Sequence, residues 1–326
     1  MQTHTVTLSV TDQPTFEYTD SGHCDGDHDT FIAIHGNTFT KESFDELIKK
    51  KPHNTRVIAV NLRGYDGSSA PSPLDMKLLH VDHSPEYGQR RAAEIAEFIS
   101  IMIDRNNIKP QSLVLLSWSM GVTILMGILH HSSTLHPEHM SSISKAVRRL
   151  VFLDPPSDFI TGQPASAVLE RLSDLPNLAN WFKSWCIQTF ERPSDIPTDR
   201  EGRLLWAQNS SSETPHPNAD EILKHHRSHT FPFAFFHVYP PYTEATESWT
   251  KSVIFPVTSS SMTQWSRDVA ITWLWCTKSV PMCTMAGIWA EDHAGEGRLE
   301  RVVKRKWNHA FLWDHPDETW AILLDQ

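Results

Sequence analysis

The chain has 326 residues, 39% hydrophobic and 21% charged, enough to bury the core of one large α/β domain or of a domain carrying an insertion. Its 29 Lys and Arg against 39 Asp and Glu leave a formal net charge of -10, which argues against nucleic acid or an anionic membrane surface as a partner. Four scattered cysteines, Cys24, Cys186, Cys276 and Cys283, form no CxxC pair and fit reduced thiols better than a disulfide framework.

In chain order, Thr5 to Val10 and Thr15 to Thr19 alternate in strand fashion around a turn at Asp12-Gln13-Pro14, which predicts an antiparallel pair at one edge. The opening residues show no basic stretch followed by an apolar one, so a secretory signal is not expected and a cytoplasmic location is. Buried-strand runs follow at Thr30 to Ile34, Val57 to Val60, Leu113 to Leu116 and Leu150 to Leu153. Helical patterns lie between them at Lys41 to Lys50, at Pro85 to Arg105 behind a Ser84 cap, and at Met120 to His131. Non-alternating strands interleaved with amphipathic helices indicate a mostly parallel sheet covered on both faces.

After Pro155-Pro156 that rhythm stops. Ala165 to Leu172 and Asn177 to Phe190 read as helices, and aromatics are dense at Trp181, Trp185, Trp206, Phe231, Phe233, Phe235, Phe236 and Tyr239. Sheet patterns resume at Val269 to Cys276 and Leu299 to Arg305. The simplest organisation is a core of residues 1–156 and 268–326 with a cap inserted at 157–267. The basic run Arg301 to Lys306 reads as a solvated strand edge. His225-His226-Arg227-Ser228-His229 has no carboxylate or cysteine at a metal-ligand spacing, so no metal or other cofactor is expected.

Ser119 ends an apolar run in Ser117-Trp118-Ser119-Met120-Gly121 and opens a helical pattern, the strand-turn-helix context of an exposed nucleophile. Such turns need small residues on both sides of the serine; here Ser117 stands where a first glycine is usual. Three further stretches accompany it: His35-Gly36-Asn37-Thr38, Asn61-Leu62-Arg63-Gly64-Tyr65-Asp66-Gly67-Ser68, and Asn308-His309 through Pro316-Asp317-Glu318.

Together these four stretches resemble the α/β-hydrolase family over nearly the whole chain outside the insertion. The resemblance implies an eight-stranded, mostly parallel sheet with helices on both faces and a helical cap after the sixth strand. It implies Ser119 as nucleophile and His309 as base, in preference to His293 and His315. It also implies the backbone N–H groups of Asn37 and Met120 as oxyanion donors. The family's usual acid, after the seventh strand, is absent because Ser279 occupies that place. Asp154, at the end of the sixth strand, becomes the expected orienting acid, with Glu291 and Asp292 as alternatives. His35, Gly36, Trp118, Trp185 and Phe235 are expected beside the substrate, with His35 also read as bracing its turn.

Such a set fits a hydrolase of an ester, thioester or lactone of a medium-sized apolar or aromatic metabolite. The alternative keeps the triad for an intramolecular cyclisation or lyase reaction, since the chain is loosely similar to fungal secondary-metabolite hydrolases and cyclases. A non-catalytic receptor is disfavoured by the complete Ser, Asp, His set. A small-molecule substrate is the expected partner; a homodimer is compatible with the sequence but not specified by it.

Overall fold

The computed structural model describes residues 2–10, 12–24, 26, 28–157, 175–227, 240–255, 261–295 and 298–325. The antiparallel pair is β1 (Gln2–Thr7) and β2 (Thr15–Asp20), with Gln2 opposite Asp20 and Thr7 opposite Thr15. Strand β1 stops short of Val10 because the Glu97 carboxylate accepts the Ser9 N–H at 2.5 Å and the Val10 N–H at 3.0 Å. Those donors are no longer available to a ladder.

The buried runs form β3 (Asp29–Ile34), β4 (Thr55–Val60), β5 (Leu113–Trp118) and β6 (Val147–Leu153). A separate antiparallel ribbon pairs β7 (Thr189–Glu191) with β8 (Ser212–Thr214). The main sheet resumes with β9 (Ala270–Cys276) and β10 (Leu299–Arg305). Its order is β1-β2-β4-β3-β5-β6-β9-β10; β1 and β2 run antiparallel to their neighbours, and all later pairs are parallel.

Period-two alternation divides the strand side chains between two cores. Ile32, Ile34, Leu113, Leu115, Phe152, Trp273 and Trp275 face one way and pack against the helices Glu86–Arg105, Val122–His130 and Pro137–Ala146. Phe31, Ala33, Val114, Leu116, Trp118, Leu153 and Leu274 face the other, toward Asp45–Lys49 and the C-terminal helix Pro316–Leu324. The result is a helix-sheet-helix sandwich, and the basic run lies on β10 at the sheet edge, as expected.

Two helices of this frame escaped the periodicity reading. Pro73–His80 starts at a capping box in which Ser72 and Asp75 serve each other's backbone N–H. Pro137–Ala146 buries only Met140, Ile143 and Ala146, a stripe too thin to read as amphipathic from sequence. Among the described residues, no helix is long and apolar enough to cross a membrane, and the four cysteines are buried and form no disulfide.

Between β6 and β9 the described residues form the helices Leu175–Trp185, Arg200–Gln208, Ala219–Leu223, Pro240–Ile254 and Gln264–Asp268. The predicted helix at Asn177 to Phe190 is thus shortened to make room for β7. The predicted helix at Ala165 to Leu172 and the aromatics Phe231 to Tyr239 lie outside the described residues. This segment docks on the core: Ser252 is 2.7 Å from His130 Nδ1, and the Trp249 ring packs against His131, with centroids 5.0 Å apart.

Candidate active site

Strand β5 delivers Ser119 into a sharp turn where its φ is +54°, a left-handed conformation that costs a non-glycine residue about 1–3 kcal/mol. Two glycines permit the turn. A Cβ on Gly121 would meet the carbonyl oxygens of His35 at 2.5 Å and Ile34 at 2.9 Å; one on Gly36 would meet Ser119 Cβ at 2.8 Å. Ser117 is tolerated in place of glycine because it remains within β5, although its buried Oγ has no partner there.

Asp154 leaves β6 with φ +48°. Its Oδ2 lies 2.6 Å from His309 Nδ1, and its Oδ1 accepts the Cys276 N–H at 3.0 Å. The Ser279 hydroxyl donates to Oδ2 at 2.5 Å and lies 3.3 Å from His309 Nδ1. The carboxylate is fully buried and His309 nearly so. Nδ1 of His309 is thereby committed to the acid, which leaves Nε2 for a reacting group. Ser119 and His309 line one cavity of about 10 Å³, together with Asn37, Met120, Phe182, Trp185, Cys186, Met282 and Cys283.

The other acids considered from sequence are spoken for elsewhere. Arg203 holds Glu291 at 2.6 Å and also bonds Asp292. His293 bonds the Trp289 carbonyl at 2.7 Å, and His315 stacks on Trp307 at 4.7 Å. Neither touches Asp154.

The residues expected beside the substrate divide. Trp185 and Asn37 line the serine cavity, and Gly36 lies directly behind Ser119. His35 offers a substrate no hydrogen bond: its Nε2 accepts the Leu62 N–H at 3.0 Å and its Nδ1 donates to the Gly36 carbonyl at 2.8 Å. Burial pulls its pKa down to about 4, and the neutral ring braces the turn. Trp118 is also displaced from its expected place. Its ring backs the imidazole of His309, centroids 4.9 Å apart, and meets Phe39 and Trp313 edge-on. Phe235 lies outside the described residues. Trp206 is buried against Arg192 and the Pro193 carbonyl, away from the serine.

Sequence reasoning missed three contributors. Ser279 was recognised only as a missing acid, yet its hydroxyl completes the hydrogen bonds of Asp154. Arg192, from the inserted segment, donates to the carbonyls of Thr277 at 2.7 Å and Ser279 at 3.0 Å. It therefore pins the loop that carries Ser279. Asn61 serves two partners that an aspartate could not: its Oδ1 accepts the Lys41 N–H at 2.7 Å while its Nδ2 donates to the Asp66 carbonyl at 2.8 Å. A carboxylate cannot do the second.

Among the described residues, Asp154, Cys283 and His309 are the group with metal-ligand potential, their donor atoms lying within 4.8 Å of one another. Two of the three are already joined by the hydrogen bond that a triad requires.

A left-handed serine at the end of β5, a strand-end acid on a late histidine and this sheet order define the α/β-hydrolase architecture. The chain belongs to the alpha/beta hydrolase family, whose profile matches residues 31–322. Among solved structures, an esterase from Exiguobacterium antarcticum superposes with a TM-score of 0.56 at 16% identity, covering 98% of this chain and 97% of its own. A haloalkane dehalogenase from Agrobacterium tumefaciens gives 0.55 at 14%, covering 99% and 95%. A thermophilic esterase from Thermogutta terrifontis gives 0.54 at 13%, covering 99% and 97%. No curated protein matches by sequence.

Proposed function

We propose that the protein is a serine hydrolase that cleaves a carboxylic ester, thioester or lactone through an acyl-enzyme on Ser119. The observation that carries this reading is the Asp154–His309 hydrogen bond of 2.6 Å beside a strained Ser119 in one cavity. His309 Nε2 takes the Ser119 proton as Oγ attacks the carbonyl carbon, then returns it to the leaving oxygen. The backbone N–H groups of Asn37 and Met120 receive the developing oxyanion. Water repeats the sequence in reverse and frees the acid. A serine nucleophile separates this reading from dehalogenation, which proceeds by carboxylate attack on carbon.

Residues 157–267 act in this reading as a cap, whose Phe182, Trp185 and Cys186 give the serine cavity an apolar lining that suits an apolar or aromatic substrate. The lining also favours slow access of water, which keeps intramolecular cyclisation as the second reading: a hydroxyl of the acyl chain would replace water in attacking the acyl-enzyme. The test is a panel of p-nitrophenyl esters of increasing acyl length, assayed with wild type and Ser119→Ala. Ester turnover that disappears in Ser119→Ala is the expected result, whereas equal rates in both proteins contradict the proposal.

A further inference from the structure

A second cavity, of about 50 Å³, shares Asn37 and Met120 with the serine cavity. Part of its lining is polar: Arg63, Arg91 and Glu94 stand beside Tyr65 and Tyr87. These charges belong to one ion-pair network. Arg63 donates to Glu94 at 2.8 Å and lies 3.1 Å from Asp75; Arg91 donates to Glu94 at 2.8 Å and to Asp75 at 2.9 Å. Arg90 adds a third guanidinium, 2.9 Å from Asp75 and 3.1 Å from Asp12, so three guanidinium groups balance three carboxylates.

Among the described residues, Oδ1 and Nδ2 of Asn37 and Oε2 of Glu94 are buried without a hydrogen-bond partner. Asn37 is 5% exposed and Glu94 3%. Burying such groups unbonded is costly, so their retention points to a polar ligand group between Asn37 and Glu94.

Resting on the serine-hydrolase reading, the chemistry of the step assigns the two cavities. His309 must protonate the departing oxygen, so that oxygen lies in the cavity that His309 lines. The acyl chain, on the other substituent of the carbonyl carbon, is directed into the second cavity.

We infer that this second cavity is an acyl subsite for a short hydroxyacyl chain, its hydroxyl donating to Glu94 Oε2 and accepting from Asn37 Nδ2. The balance of charge selects a neutral group: a carboxylate would face Glu94 and Asp75, and an ammonium would face Arg63 and Arg91. A hydroxyl both donates and accepts through a single heavy atom, where a carboxamide needs three. At about 10–15 Å³ per water-sized group, the space holds about four heavy atoms, the number a 3-hydroxybutanoyl chain places beyond its carbonyl carbon. In the reaction, the bond from the acyl carbon to the leaving oxygen breaks as the bond to Ser119 Oγ forms. The serine proton passes through His309 to the leaving group, and water then releases the hydroxy acid.

The test compares kcat/KM for p-nitrophenyl 3-hydroxybutanoate, as separate enantiomers, with that for p-nitrophenyl butanoate. Fluorophosphonate labelling of Ser119 is measured on the same preparation. The expected result is at least a tenfold preference for one hydroxybutanoate enantiomer, falling toward unity in Glu94→Gln. Should Glu94→Gln fail to fold, the wild-type ratio decides by itself. Equal rates, or preference for butanoate, with Ser119 labelled would overturn the subsite and leave the hydrolase reading standing. Turnover of neither ester, with Ser119 unlabelled, would overturn both.

Discussion

Replacing Asp154 by Asn probes the acid at the position where the backbone tolerates the change. Asp154 sits at φ +48°, a left-handed conformation that Asn adopts as readily as Asp, so the strand end is retained. The hydrogen bonds are not. If the new amide points its NH2 at His309, it donates to Nδ1 and places the ring proton on Nε2, where the imidazole can no longer accept from Ser119. If it turns over, the NH2 faces the Cys276 N–H that Oδ1 now accepts at 3.0 Å, donor against donor. Either orientation removes the charge-assisted bond of 2.6 Å to His309. Loss of the productive tautomer lowers turnover by about 10⁴ in triads of this type, equivalent to roughly 5 kcal/mol of transition-state stabilisation. The assay is kcat on a p-nitrophenyl ester, with the thermal midpoint measured in parallel to show that the fold survives. Because Ser279 Oγ already lies 3.3 Å from His309 Nδ1, adding Ser279→Asp to Asp154→Asn is expected to recover at least tenfold of the loss. Turnover of Asp154→Asn within tenfold of wild type would refute the assignment of Asp154.

Three further outcomes follow from the same geometry. Gly36→Ala places a Cβ 2.8 Å from Ser119 Cβ and 3.1 Å from the Trp118 ring. It is expected to cost about 1–3 kcal/mol of stability and more than tenfold in turnover; a variant with wild-type melting and activity would show that Gly36 does not abut the elbow. Ser279→Ala removes a donor that holds the Asp154 oxygen used by His309. It is expected to lower kcat at least threefold with little change in KM, and an unchanged kcat would reduce Ser279 to packing. His35 is buried with its pKa lowered from 6.5 to about 4, so folding favours its neutral form. Its contribution is complete above pH 6.5 and is lost as the pH falls toward 4, worth roughly 3 kcal/mol at the limit. Urea unfolding at pH 7 and pH 4.5 is expected to show that decline, shallower in His35→Asn; identical slopes in the two proteins would remove His35 as its source.

The elements surrounding Ser119 were legible because they are apolar runs ended by small residues, and β3, β5 and β6 appear where those runs stand. The order Ser119, Asp154, His309 was legible for the same reason: each lies at a strand end or just beyond one. The place of Trp118 was written in period-two alternation, since Val114, Leu116 and Trp118 share one sheet face, but proximity to Ser119 in sequence masked it. Arg192 and Glu94 were not legible. Arg192 acts on carbonyls 85 and 87 residues away, and Glu94 reads as one more polar position of an amphipathic helix until Arg63 and Arg91 close around it. Contacts of that separation are set by how the insertion and the β4 loop fold back, which no local pattern specifies.

The most direct measurement of the central claim is intact mass after treatment with a fluorophosphonate probe, followed by peptide mapping. A single adduct on Ser119, absent from Ser119→Ala and strongly slowed in Asp154→Asn, is the expected result. No adduct, or an adduct on another residue that persists in Ser119→Ala, would contradict an activated Ser119 and with it the proposed hydrolase.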